Sequence, residues 1–289
     1  MKMPTRQVIL EGCDLSGKST LYAKLHKATK FRYDIRDRGR LSRLVYSTMY
    51  DRNLDYERSE FYRFLDDLNH RVVLMALPWD TISARYDVRG DELHDRDSLL
   101  RTWNEFNGHA LALSDHPSFL VRDADADPNE IAATIDASEI VTSAEVAARA
   151  QKALETTGRN ESLNLCFELT VSPSDDSGPE SLAVPGEEHY YEGIYKDLLM
   201  RAHTETEGGQ TETSRRFVTA NPSCISYVRF IRRAEGDTVD MICRSTNVPK
   251  NLKIDLDAII HTALKVQDIL GDRKDFTLRV NLHCGHIVP

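Results

Sequence analysis

Apolar residues first cluster in a continuous run, Gln7–Glu11 (QVILE), which reads as a buried strand. A glycine-bearing turn follows, and then helical spacing over 18–29. A second strand is expected over 31–36, leading through Asp37-Arg38-Gly39 into a helix over 41–50. The run 70–77 (HRVVLMAL) is buried-strand-like, and Pro78 after it suits the first turn of a helix. A long helix over 97–113, a short strand over 118–121 and a helix over 129–135 complete the first part. Strand and helix alternate, which predicts a parallel sheet flanked by helices.

Beyond the polar stretch 156–160 (TTGRN) the rhythm changes. A strand over 163–171 precedes a Pro- and Gly-bearing loop over 172–188 and a helix over 189–203. Strands over 224–231 and 238–243 flank a turn, and a helix over 256–270 and a strand over 276–283 end the chain. This is an α+β pattern, so two domains are expected, residues 1–157 and 158–289. The length of 289 residues agrees with that division.

Composition adds limits. Hydrophobic residues at 40% and charged residues at 29% are globular proportions and exclude a disordered chain. No apolar run approaches the ~18 residues of a membrane span, and no signal-peptide pattern opens the chain. Five scattered cysteines without a CxxC pair point to a reducing, cytoplasmic compartment. The net charge of −9 opposes binding to bulk nucleic acid but leaves room for a local basic cleft.

The strongest motif is Gly12-Cys13-Asp14-Leu15-Ser16-Gly17-Lys18-Ser19-Thr20, a full GxxxxGK[ST] match between a strand and a helix. Gly12 and Gly17 permit the tight turn that aims backbone N–H groups at phosphate oxygens, and the helix N-terminus adds partial positive charge. Lys18 suits the β- and γ-phosphates of ATP, and the Ser19 hydroxyl suits Mg²⁺. The loop residues Gly12, Asp14, Ser16, Gly17, Lys18, Ser19 and Thr20 are therefore the expected nucleotide contacts.

Glu11-Gly12-Cys13-Asp14 with Gly17-Lys18-Ser19-Thr20 resembles the EGxDxxGKST loop of thymidylate kinases and related deoxynucleotide kinases. Asp37-Arg38 with Ser42 and Val45-Tyr46 resembles that family's DR motif beside the acceptor. Arg85-Tyr86 with Arg89-Gly90-Asp91-Glu92 resembles its arginine-bearing lid, and the stretch 119–132 its adenine side. The resemblance spans roughly residues 6–155 and implies a P-loop kinase fold using ATP and Mg²⁺. The implied acceptor is a deoxypyrimidine nucleotide, with Lys18, Asp37, Arg38, Arg85 and Arg89 carrying the transfer. Phosphoryl transfer does require such cations around the spreading charge. Arg36, Arg40 and Arg43 fit a cationic strand end or solvated helix faces equally well. The segment between the first helix and Asp37-Arg38 is too short for the strand and acceptor loop that family members usually carry, so the acceptor is the open question. Some viral relatives act on 5-hydroxymethyluracil within DNA, which makes modified DNA the alternative acceptor.

In the second part, the stretch 221–227 (NPSCISY) and Arg244-Ser245-Thr246-Asn247 resemble the core of thymidylate synthases, over roughly residues 189–289. That resemblance implies a nucleotide site at Arg215, Cys224, Arg244, Ser245 and Asn247, and a homodimer through this domain. Cys224 is either a nucleophile or, the favoured reading, a buried structural thiol. Ile225 stands where the family has His, and the chain is short for a folate site. A synthase-type one-carbon transferase with a regulatory P-loop domain is the remaining alternative.

Overall fold

The structure is a computed structural model that describes residues 1–91, 93–123, 125–137, 140–162, 164–179, 188–207, 215–220 and 225–287. The chain divides into two compact units, one of residues 5–139 and one of residues 1–4 with 140–289. The division therefore falls at 139/140 and not at the polar stretch near 157.

The unit of residues 5–139 contains β1 (Gln7–Glu11), α1 (Lys18–Ala28), β2 (Asp34–Asp37), α2 (Arg40–Tyr50), α3 (Leu54–Leu65) and β3 (His70–Met75). It continues with α4 (Trp79–Arg89), α5 (Arg96–Leu113), β4 (Phe119–Arg122) and α6 (Pro128–Ala137). The four strands form one parallel sheet in the order β2-β1-β3-β4. All six residues of β3 are buried, as a central strand covered on both faces requires. The strand expected over 31–36 starts later, because Lys30 and Phe31 have positive φ and turn the chain; the Phe31 side chain is 73% exposed. Helix α3 had no expected counterpart. Of its twelve residues only Phe61 and Leu65 are buried, so its apolar stripe is too thin to read.

The other unit holds α7 (Ser143–Thr156), β5 (Glu161–Ser162), β6 (Leu165–Val171), α8 (Glu188–Glu207), β7 (Arg215–Ala220) and β8 (Ile225–Arg232). After these come β9 (Asp237–Cys243), β10 (Thr246–Asn247), α9 (Val248–Ile269), β11 (Phe276–Leu282) and β12 (Gly285–His286). Its main sheet runs β6-β11-β9-β8-β7, antiparallel except for the β11–β9 pair, and β10, β12 and β5 form a small second sheet. Helix α7 belongs here because its face of Val146, Ala147, Ala150, Ala153 and Leu154 is buried and packs against α9. Buried residues cover nearly every position from Asp255 to Gln267 of α9, which marks it as the central helix of this unit. It starts eight residues before the expected 256, with Pro249 in its first turn. No described helix is long and apolar enough to cross a membrane.

Candidate functional site

A cavity of about 1020 Å³ opens where all four parallel strands of the first unit end. The segment after β1 supplies 14–21, β2 supplies Asp37 and Arg38, and Met75 closes β3 ahead of α4. Ala126 and Pro128 follow β4. The carboxyl ends of parallel strands are where open α/β sheets bind ligands.

The turn after β1 depends on two glycines. Gly12 has φ +140°, and a Cβ there would stand 2.8 Å from the Met75 carbonyl oxygen. Gly17, at φ +93°, is the N-cap of α1. The first turn of α1 has no capping side chain and no acidic residue, so the positive end of its dipole is left uncompensated. Lys18 Nζ folds over the loop and donates to the carbonyl oxygens of Gly12 (2.8 Å) and Cys13 (2.6 Å) and to Ser16 Oγ (3.3 Å). Burial, and then Arg38 nearby, hold its ammonium pKa below the ordinary lysine value. Ser16 is buried inside the turn, whereas Ser19 and Thr20 are exposed and line the cavity.

Across the loop, Arg85 Nη1 donates to the Leu15 carbonyl at 2.7 Å, which draws α4 over the turn. Arg89, at the last residue of α4, and Asp37, at the end of β2, are exposed and line the same cavity. Arg38 has φ +66°, pairs with Asp14 through Nη2, and donates from Nη1 to Tyr46 Oη at 2.9 Å. Tyr46 Oη in turn donates to Asp14 Oδ2 at 3.1 Å. Burial, then Asp14, raise the Tyr46 phenol pKa, which keeps it a neutral donor. All eleven loop and catalytic residues expected from the sequence thus fall on one turn and its rim.

Two participants escaped the sequence reading. Glu11, fully buried, accepts from the backbone N–H groups of Gly39, Leu41 and Ser42 at 2.9, 3.1 and 3.3 Å, and from the Ser42 hydroxyl. It fixes the start of α2 against β1. Burial raises its carboxyl pKa, with Ser42 and the Gly39 amide opposing. His94, also buried, brings Nε2 to 3.4 Å from Asp14 Oδ2 and stacks on Tyr46. The Glu11 position was visible in the motif; nothing local marked His94.

Five cationic side chains (Lys18, Lys24, Arg38, Arg85, Arg89) face four carboxylates (Asp14, Asp37, Asp80, Asp91) around the cavity. The site is therefore net cationic in a chain of charge −9. Cys13 lies behind the turn, and burial pushes its thiol up to about 11, away from nucleophilic use.

The second expected site does not gather in the same way. Register pairs Arg215 with Arg232, at the end of the sheet where β9 begins. Arg244 follows Cys243, at the opposite end, where β9 meets Ile225. The antiparallel β7–β8–β9 order therefore sets the backbone of Arg215 and that of Arg244 at opposite ends of the sheet within one chain. Ser245 Oγ lies 3.3 Å from His286 Nδ1, Asn247 ends β10, and Arg244 is exposed. Cys224 lies outside the described residues. Among the described residues no group of three or more His, Cys, Asp or Glu side chains is arranged to hold a metal ion. No protein-family model and no curated protein matches this chain.

Proposed function

We propose that this protein is an ATP- and Mg²⁺-dependent phosphotransferase acting on a deoxypyrimidine nucleotide. The observation that carries the proposal is one cavity holding both halves of such a reaction. The glycine turn carries Lys18 at an uncapped helix N-terminus, and Asp14 of the same turn is tied to Arg38 on the rim, with Tyr46 backing the pair from outside the cavity.

The residues fit a triphosphate. A Cβ at Gly12 would collide with the Met75 carbonyl, so the turn closes only with glycine there, and Lys18 is held over the loop only by carbonyl oxygens and one hydroxyl, partners it can exchange for phosphate oxygens. Mg²⁺ sites in such enzymes take few protein ligands because phosphates and water supply the rest, so Ser19 with an acidic rim is enough. ATP with Mg²⁺ would supply the transferable phosphoryl group and neutralise its charge. The chain's own residues do the rest. Lys18, Arg85 and Arg89 surround the phosphate end of the cavity with positive charge, which counts most as charge spreads in the transition state. Asp14, held by Arg38, Tyr46 and His94, is an oriented acceptor for a hydrogen bond from the second substrate. Asp37, on the same rim, is available to a hydroxyl acceptor as general base. A one-carbon-transferase reading draws no support from the register that separates Arg215 from Arg244.

Lys18→Ala is expected to lower transfer from γ-labelled ATP by two or more orders of magnitude, on the scale of losing one transition-state cation (~10²–10³), while the circular dichroism spectrum stays that of the wild type. The assay offers dTMP, dUMP, 5-hydroxymethyl-dUMP and dCMP as acceptors. Wild-type turnover in that variant would sink the proposal.

A further inference from the structure

A second groove, of about 770 Å³, lies between the β1–β2 edge of the sheet and the helices α2 and α3. Its charge runs against the rest of the molecule. The chain has 46 acidic against 37 basic side chains, yet Arg36, Arg38, Arg40, Arg43 and Arg52 line this groove and Glu57 is its one acidic side chain. Some of these arginines have partners on the protein. Arg40 does pair with Glu60 at 2.9 Å, and Arg36 with Asp34 at 3.0 Å, both members of the latter pair being exposed. Among the described residues neither Arg43 nor Arg52 has a carboxylate partner. Arg43 and Arg52, both exposed, are thus available to an anion in a groove whose lining is net cationic.

The groove's form points to an extended anion. Its volume is in the range of sites for drug-sized ligands, well beyond one phosphate. Arg38 belongs to both this groove and the P-loop cavity, so the two are continuous at that residue. Tyr46 lines the groove and belongs to a row of rings whose inner member, His94, is buried. His94, Tyr46 and Tyr50 stack with interplanar angles of 10° and 11°, and the Arg52 guanidinium lies over the Tyr50 ring, which is 47% exposed. Guanidinium groups beside an exposed ring, here Tyr50, are what single-strand binding uses, the cations for phosphodiesters and the ring for a base. The groove is open because β2 is the edge of the sheet.

We infer that this groove binds the phosphodiester backbone of a single nucleic-acid strand and presents the strand's acceptor nucleotide past Arg38 to the P-loop cavity. The acceptor role rests on the phosphotransferase reading; the strand binding does not. The test is fluorescence anisotropy of a fluorescein-labelled oligothymidylate with the full chain, without ATP, over a salt series. Arg43→Ala/Arg52→Ala is expected to lower the slope of log K against log salt by about 1.4, the value for two lost single-strand phosphate contacts, and so to weaken binding about 25-fold near ~0.1 M salt. Arg101→Ala, an exposed change on α5, is expected to leave binding unchanged. No binding, or equal binding by wild type and the double variant, overturns the inference. So does displacement of the strand by inorganic tripolyphosphate at equal phosphate concentration, which would mark a site for free anions. Transfer from labelled ATP is measured in parallel. Strand binding without transfer to any acceptor supports the groove and overturns the kinase. Transfer to free dTMP without strand binding does the reverse.

Discussion

His70 opens β3 with its ring stacked on Phe64 at 3.8 Å, and its Nε2 is buried without a partner among the described residues. Burial, followed by the charges of Arg71 and His116, pushes its pKa down to about 3. The sign of the consequence follows from proton counting. Between pH 6.5 and about 3 the unfolded chain binds a proton here that the folded chain refuses, so stability is complete above 6.5 and declines as pH falls through that window. The slope approaches about 1.4 kcal/mol per pH unit, or about 2 kcal/mol between pH 7 and 5. Both tryptophans, Trp79 and Trp103, belong to the unit of residues 5–139, so their fluorescence follows this unit. Urea midpoints by tryptophan fluorescence should fall less with acid in His70→Phe, which keeps the stack on Phe64, than in the wild type. Identical slopes in the two proteins would remove the assignment. In the sequence, 70–77 presents simply as an apolar run, because a neutral buried histidine leaves no pattern of its own.

At the scale of elements, the junction of β1 with α2 shows how the site is fixed in place. Helix α2 starts at Gly39 with no side-chain cap of its own and no acid in its first turn. Its first amides are satisfied instead by Glu11, 28 to 31 residues earlier in the chain. Gly39 is needed for that approach, since a Cβ would stand 2.8 Å from Ile9 Cγ2 and 3.2 Å from Glu11 Oε1. Glu11→Ala would strand several buried N–H groups and is expected to cost about 3 kcal/mol, on the scale of losing hydrogen bonds to a charged group. Glu11→Gln keeps an oxygen for those amides and should cost clearly less; tryptophan-detected urea unfolding separates the two, and equal losses would refute the capping role. The same contrast explains what could be read in advance. The strand, glycine turn and helix around Lys18 are contiguous, so local pattern was enough. Glu11 capping α2 and His94 facing Asp14 are contacts over long separations, with no spacing to betray them. Helix α7 is a different case: Thr142 and Glu145 form a capping box, a legible start signal, but a buried face rich in alanine gave too little hydrophobic contrast to be noticed.

For the whole molecule, the division at 139/140 makes residues 5–139 an insertion between Pro4 and Ile140. Lys2 exchanges two backbone hydrogen bonds with Thr170, at 2.8 and 2.7 Å, and bridges to Ile140, while the Met1 carbonyl accepts from Val141 N–H at 2.9 Å. Met3 is wholly buried, with its sulfur near Arg149 Nη1 at 3.7 Å. The first residues of the chain therefore complete the unit formed by residues 140–289, although the strand that follows them, β1, belongs to the other. Sequence could not disclose this, because four residues carry no periodicity and their partners lie more than a hundred positions away. The expected boundary near 157 failed for a related reason: the polar stretch 156–160 marks a turn after α7, and polarity alone does not show which side of a turn its helix packs with. Met3→Ala tests the arrangement. Truncating a buried methionine costs about 2–5 kcal/mol, and that loss should fall on the unit Met3 packs in. Amide hydrogen exchange by mass spectrometry should show faster exchange in α7 and β6, with β1 and β3 at wild-type protection. Faster exchange in β1, four residues from the substitution, with β6 unchanged would place Met3 in the core of the P-loop unit and overturn the discontinuous division.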